Sequence, residues 1–246
     1  MSNQSLFALL DRVDRHPDQE ALRARSYELL ALAAGSRVVD VGCGLGLAVA
    51  EMAALGARPI GLDVDGHAVA VARSRHPGLE FRQADACDLP FEDGELAGYR
   101  ADKVYHGLAD PARAVAEAWR VLAPGGRIVL LGQDWDTFVV DSDDPALTRV
   151  MVRARADTVP SPHAARRHRT LLLDAGFADI TVEVRTGIFT DGSFLPMVTG
   201  IAEGAYAAGA VTRGQADDWI AEQTGRARRD RLFLAVPMFL AAARRP

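Results

Sequence analysis

The stretch VVDVGCGLG, residues 38–46, decides how this chain is read. Val38, Val39 and Val41 flank the acid Asp40, and Gly42, Gly44 and Gly46 follow at alternate positions. β-Branched residues favour a buried strand, and glycines permit a sharp left-handed turn that brings a helix N-terminus close to a ligand. A dinucleotide-binding turn carries its last glycine three positions beyond the second, so that the helix packs closely on the strand. Leu47 holds that position here. No Gly-Lys-Ser/Thr follows the glycines, which removes a phosphate-cradling loop as well.

Outward from the turn, strands and helices alternate. Residues 18–34 hold Leu22, Tyr27, Leu29, Leu30 and Ala33 near helical spacing, with Gly35 placed as a C-terminal cap. LAVAEMAALG (47–56) predicts a helix and RPIGLDVD (58–65) a second buried strand. A helix near 66–75, a third strand LEFRQAD (79–85), a fourth near LAGYRADKVY (96–105) and a helix from about Pro111 to Leu122 follow. A turn APGG (123–126) then leads into a fifth strand, RIVLLGQD (127–134). Such alternation predicts a mostly parallel sheet with helices on both faces. Ligands sit beyond the carboxyl ends of such strands, so the loops after Val41, Leu62, Ala84, Val104 and Gly132 matter most.

From Asp141 the pattern changes. SDDPALTRVMVRARADTV (142–159) predicts a helix capped by Asp144 with Pro145 in its first turn. A helix HAARRHRTLLLDAG, a sixth strand FADITVEVRTGIFT, helices near 193–209 and 213–225, and a last strand RLFLAVPMFLAAARR complete the chain. Residues 1–246 are expected to form a single unit, since no repeat or linker interrupts them. Segments 1–30, 141–161 and 191–226 are its expected cap over the strand ends.

Composition narrows the classes. Apolar residues make up 49% and charged residues 25%, and no run matches a membrane span. The N-terminal MSNQSLFALLDRVDRHPDQE lacks the pattern of a signal peptide, so a cytoplasmic location with no membrane partner is expected. A formal charge of -5 argues against a nucleic-acid partner, which needs a concentrated positive face. Cys43 and Cys87 match neither a disulfide framework nor a metal pair, and both are expected to be reduced.

The acids at the strand ends indicate the ligand. Asp40, two residues before Gly42, would oppose a pyrophosphate but suits an ammonium group. Asp63 ends the second strand, where a carboxylate can accept from both hydroxyls of a ribose. Asp85 closes the third strand and, with a neighbouring N–H, can read adenine, against which Val64 provides an apolar wall. Adenine, ribose and an amino-acid tail without phosphates describe S-adenosylmethionine.

VVDVGCGLG, IGLDVD, QADACDLPF and VLAPGGRIVLLG resemble the successive motifs of class I S-adenosylmethionine-dependent methyltransferases. LPFEDGEL and ADPARAVAEAWRVLAPGG are similar to the small-molecule branch that includes the ubiquinone and menaquinone methyltransferases. The resemblance covers Ala31 to Leu131. It implies an α/β, Rossmann-like fold with a seven-stranded, mostly parallel sheet, helices on both faces and a partly helical cap. It implies that Asp40, Gly42, Gly44 and Gly46 line the methionine part, Asp63 the ribose, and Asp85 and Ala86 the adenine, with Arg100 or Lys103 at the mouth. The expected reaction moves a methyl group to an O, N or C nucleophile of a small-molecule acceptor from specialised metabolism, releasing S-adenosyl-L-homocysteine. A cyclase using the bound sulfonium as a fixed charge, and a non-catalytic cofactor sensor, are the rival functions on this fold.

The family often carries a His-His or Gln-His pair after the fourth strand, whereas RADKVYHG shifts His106 and puts Gly107 where a histidine often stands. If the acceptor needs a general base, the candidates are His106 first, then His163, Tyr105 and His168. Against this, His106 is equally readable as a helix cap, and His163 and His168 as surface residues beside Arg166, Arg167 and Arg169. Asp134, Asp136, Asp141, Asp143 and Asp144 have the oxygen chemistry of a magnesium site, but their spacing fixes no ligand set and no metal is expected. Trp135, Phe138, Phe189, Phe194 and Tyr206 are either an aromatic acceptor pocket or ordinary core. Cys43 reads as a small packing residue. Monomer and homodimer are both open.

Overall fold

A computed structural model describes residues 11–246. A helix α1 (Pro17–Leu30) leads into β1 (Arg37–Val41), α2 (Leu47–Ala54), β2 (Arg58–Asp63), α3 (Gly66–Arg75) and β3 (Glu80–Gln83). Then come β4 (Leu96–Asp102), α4 (Pro111–Val121), β5 (Leu122–Gln133), β6 (Val139–Val140), α5 (Pro145–Asp157) and α6 (Ala164–Asp174). The chain ends with β7 (Ala178–Phe189), α7 (Leu195–Ala207), α8 (Arg213–Arg228) and β8 (Leu234–Arg244).

The buried valines of the opening stretch put β1 in the interior of the sheet, whose order is β3-β2-β1-β4-β5-β8-β6, with β7 also paired to β8. β1 runs parallel to β2 and β4, and β4 parallel to β5. β8 is antiparallel to both β5 and β7. Strand order reverses at β1 and β4, so their carboxyl ends open a crevice.

One face of the sheet packs Val39, Leu62, Leu96 and Leu130 against Val115 of α4 and Leu172 of α6. The other packs Leu131 and Leu240 against Leu22 and Leu30 of α1. The same core continues through Val152, Ile201 and Trp219 of α5, α7 and α8. The buried Trp219 Nε1 donates to Thr148 Oγ1 at 2.9 Å, and Arg226 pairs with Asp141, Asp143 and Glu222. These contacts bind the late helices to one another and, through Val236 and Met238 of β8, to the sheet.

The sheet carries eight strands where the sequence predicts seven, because the two-residue β6 pairs with β8 but is too short to show a period. α1 stops at Leu30, since Ala31 takes the left-handed conformation (φ 47°) that was expected of Gly35. The APGG segment is drawn into β5, where Gly125 N donates to Arg245 O at 2.9 Å. Asp144 caps α5 as expected, accepting from Ala146 N and Leu147 N. Of the cap segment 1–30, residues 1–10 lie outside the described residues.

Two features of this packing have measurable consequences. Gly42 sits at φ +69° with Val104 Cγ2 where a Cβ would lie, so both backbone and space demand glycine. Gly42→Ala is expected to cost about 1–3 kcal/mol in urea unfolding. His168 is buried beneath Gly132 with no partner for its Nδ1 among the described residues, and burial pulls its pKa down to about 3. His106 falls to about 4, by burial first and then by Arg155 and Lys103. The folded pKa values lie below the ordinary 6.5, so the unfolded chain takes up protons first as pH falls. Stability is therefore full above pH 6.5 and declines as pH drops toward the folded values, at most about 1.4 kcal/mol per pH unit per histidine. His168→Phe should flatten that slope by about half in urea melts compared at pH 7 and pH 5, because one of the two histidines is gone.

Candidate functional site

A cavity of about 620 Å³ lies at the carboxyl ends of the central strands. Gly42, Asp63, Val64, Asp85, Ala86 and Asp102 contribute to its wall. The Asp63 carboxylate is fixed from two sides: Gly44 N donates to Oδ2 at 2.9 Å and Asp65 N donates to Oδ1 at 2.9 Å. Each oxygen still has a lone pair for a further donor. Asp85 Oδ1 accepts from Cys87 N at 2.8 Å, which orients a second carboxylate at the end of β3. Val64 presents 69% of its surface, an apolar wall beside these two acids.

Behind this cavity lies a buried ionic network. Arg100 of β4 is 2% exposed; its Nη1 donates to Asp40 Oδ1 at 2.7 Å, its Nη2 to Asp102 Oδ2 at 2.9 Å, and its Nε to Ser26 Oγ at 2.9 Å. Burial works against the guanidinium charge, and the two aspartates outweigh it. Asp102 feels burial too, but Lys103 and Arg100 together hold its carboxyl below the usual range. Its other oxygen, Oδ1, is buried without a partner among the described residues, at the cavity wall.

A second cavity, about 290 Å³, is largely apolar; Trp135, Phe138, Phe189, Met197, Ile201 and Met238 contribute to it. Lys103 borders both cavities. Its backbone adopts φ 61°, a conformation rare for a side-chain-bearing residue and costing about 1–3 kcal/mol, held here by a bond from Lys103 N to Leu131 O at 2.9 Å. The strained residue thus turns the chain between the two spaces.

Several residues singled out from the sequence fall elsewhere. Asp40 and Arg100 are sealed against each other and do not line either cavity. Gly46 is bare because the Phe81 ring and His76 occupy the place of a Cβ, so it serves helix packing. Tyr105 is 1% exposed and its hydroxyl lies 3.1 Å from that of Tyr99 in the core. His106 lines neither cavity; its ring meets Trp135 edge-on at 5.4 Å and its Nδ1 has no partner among the described residues. His163 pairs with Asp136 at 2.7 Å and borders a different cleft, and His168 is buried rather than on the surface.

Of the five aspartates, Asp134 and Asp136 are engaged by Arg166, and Asp141 and Asp143 by Arg226. Of the five aromatic residues, Phe194 packs on Phe189 in the core and Tyr206 lies under Arg213 at the surface. Burial raises the Cys43 thiol, leaving it protonated and inert. Asp102, Gln133 and Arg155 of the two cavities were not anticipated. Asp102 had a legible signal: RAD sets two charges at alternate positions of an otherwise apolar strand, the first of them, Arg100, opposite Asp40 in register.

Among the described residues no helix is long and apolar enough to cross a membrane. Residues 39–130 match the family model described as a methyltransferase domain. An uncharacterized 37.1 kDa protein of a Streptomyces fradiae transposon is 36% identical over 212 residues, covering 80% of this chain and 61% of that protein. A probable S-adenosylmethionine-dependent methyltransferase of Mycobacterium tuberculosis is 32% identical over 157 residues, covering 63% of this chain and 54% of its own length. This chain thus spans about half to three fifths of these relatives. The crystal structure of geranyl diphosphate C-methyltransferase from Streptomyces coelicolor, in complex with magnesium, geranyl-S-thiolodiphosphate and S-adenosyl-L-homocysteine, superposes with a TM-score of 0.60 at 19% identity. That likeness covers 93% of this chain and 76% of the other, and it speaks for the fold. With the strand order, the glycine turn and the acids at the ends of β2 and β3, the matched segment establishes that residues 39–130 belong to the methyltransferase domain family.

Proposed function

We propose that this chain transfers a methyl group from S-adenosylmethionine to an O, N or C nucleophile of a small organic acceptor. The observation that carries the proposal is the unpartnered, buried Asp102 Oδ1 in a cavity that also holds the two oriented carboxylates Asp63 and Asp85. These residues fit the cofactor. Asp63 receives the ribose hydroxyls on lone pairs left free by Gly44 and Asp65, and Asp85 with the backbone beside Ala86 reads the adenine edge over Val64. Asp102 supplies a negative oxygen for the ammonium of the amino-acid tail, since Arg100 has already fixed its partner oxygen. The glycine turn leaves room: a Cβ at Gly44 would meet nothing within 4 Å.

Bound there, S-adenosylmethionine supplies an activated methyl group on a sulfonium centre. The chain's own contribution is alignment and the exclusion of water, the main requirements of an in-line displacement. Trp135, Phe138 and Met197 form an apolar second chamber that holds the acceptor, with Lys103 at the junction. His106, neutral above its lowered pKa of about 4, props the edge of Trp135 and acts as a positioning residue. Segments 141–161 and 191–226 supply α5, α7 and α8, and we take them with the N-terminal helix as the cap that closes the acceptor chamber. The two free cysteines suit a reducing compartment, and we place the reaction in the cytoplasm, on a specialised metabolite.

Methyl-labelled cofactor incubated with the protein and a panel of small acceptors should release S-adenosyl-L-homocysteine and label one acceptor class. Cofactor turned over by no acceptor, or left intact while an acceptor rearranges, would refute the transfer. Asp63→Ala should weaken calorimetric binding of S-adenosyl-L-homocysteine by more than about tenfold, because buried hydroxyls lose a charge-assisted partner. Asp102→Asn should weaken it as well, whereas a loss confined to Asp40→Asn would move the ammonium site to β1.

A further inference from the structure

The apolar chamber is bordered by a charge that no carboxylate among the described residues neutralises. Arg155 leaves the last turn of α5 and borders the chamber, half-buried. Its stem crosses α7 at Gly204, where a Cβ would collide with Arg155 Cδ, so a glycine is what admits the side chain at that crossing. The guanidinium carbon lies 4.6 Å from the centre of the Trp135 ring, and Nη1 donates to Thr158 Oγ1 at 2.6 Å. Among the described residues no carboxylate comes within ion-pairing distance of it. Residues 1–10, MSNQSLFALL, contain no Asp or Glu and cannot supply the missing charge from a side chain. Burial alone acts on Arg155, pulling its pKa below the ordinary arginine value with no acid to oppose it.

The neighbouring cation is different. Lys103 lies 3.4 Å from Asp14 and faces the carboxyl of Asp102, so its charge is already answered. One uncompensated guanidinium in an apolar wall is a costly arrangement unless a ligand completes it. A planar fork of donors matches a carboxylate in a bidentate way, and a single surplus positive charge matches a monoanion rather than a phosphate dianion. Gln133 Oε1 and Trp135 Nε1, both buried without a partner among the described residues, add an acceptor and a donor at the same chamber for one polar group of the ligand. A volume of about 290 Å³ lies at the small end of ligand pockets, the size of one aromatic ring or a short aliphatic chain with its head group.

We infer that the acceptor is a compact apolar molecule bearing one carboxylate, seated between Trp135 and Met197 with that carboxylate on Arg155. The inference rests on the methyl-transfer reading of the site and names its substrate class. Arg155 is then a specificity residue, and the strongly apolar remainder of the wall selects against more polar acids.

Calorimetry in the presence of saturating S-adenosyl-L-homocysteine tests this with hydroxyphenylpropanoate and octanoate, each beside its primary amide. The acid of at least one pair is expected to bind more than about tenfold tighter than its amide, the worth of one charge-assisted pair. In Arg155→Gln that preference should fall to within about twofold while amide affinity and S-adenosyl-L-homocysteine affinity stay unchanged. A purely structural role for Arg155 on Trp135 would lower both ligands together. Equal binding of acid and amide, failure of every acid to bind, a preference that survives Arg155→Gln, or tighter binding of hydroxyphenylethyl phosphate than of the acids would each overturn the inference. Wild-type protein that binds no S-adenosyl-L-homocysteine would instead bring down the methyl-transfer reading itself, so the two failures are distinguishable.

Discussion

A guanidinium buried between β1 and β4 is the constraint around which this molecule is organised. Arg100 cannot sit in the sheet without counter-charges, and Asp40 and Asp102 supply them from the facing strand and from its own. Removing one partner of such a buried pair costs about 3–5 kcal/mol, because the remaining charge is left without compensation. Ser26 brings α1 into the same network, and Tyr27 lies under the guanidinium at 5.6 Å while its hydroxyl donates to Glu51 of α2. One side chain therefore fixes the spacing of two strands and two helices. It also leaves Asp102 at the wall of the larger cavity with one oxygen tied and one without a partner among the described residues.

The next residue along β4 carries the consequence. Lys103 must leave the strand at once, and it does so through a left-handed backbone that β5 holds in place. The bend separates a polar chamber bordered by the four carboxylates of Asp63, Asp85, Asp102 and Asp110 from an apolar chamber with one half-buried guanidinium, and it keeps them adjacent. A cofactor with an ammonium group and an acceptor with a negative group suit these opposite polarities. Their reacting ends would then meet at the junction, where the only charged side chain common to the two chambers among the described residues is Lys103.

Much of the polar cavity was legible because its chemistry is local. Asp63, Val64, Asp85 and Ala86 each follow directly from a strand end, and strand ends are visible from runs of apolar residues and the acids that terminate them. Gly42 was legible as a glycine, though its reason, the Val104 side chain, is a contact across 62 positions of sequence. Asp40 misled: an acid beside a glycine turn looks available to a ligand until a buried arginine on the neighbouring strand claims it. The histidines misled for the opposite reason. A basic run such as ARRHR suggests solvent, yet helical spacing turns His168 inward under β5 while its arginine neighbours face out.

The amino-acid sequence alone determined the sheet, its parallel core, the glycine turn and the two acids at the ends of β2 and β3, because strand periodicity and turn chemistry act over a few residues. Only the tertiary structure decided which charges are spent on one another and which remain for a ligand. Asp40 and Asp102 are both acids in β strands, and Arg100 and Arg155 both arginines amid apolar residues. What distinguishes them is whether an opposite charge arrives from a distant segment, and ion pairing across the fold leaves no periodic trace in the chain.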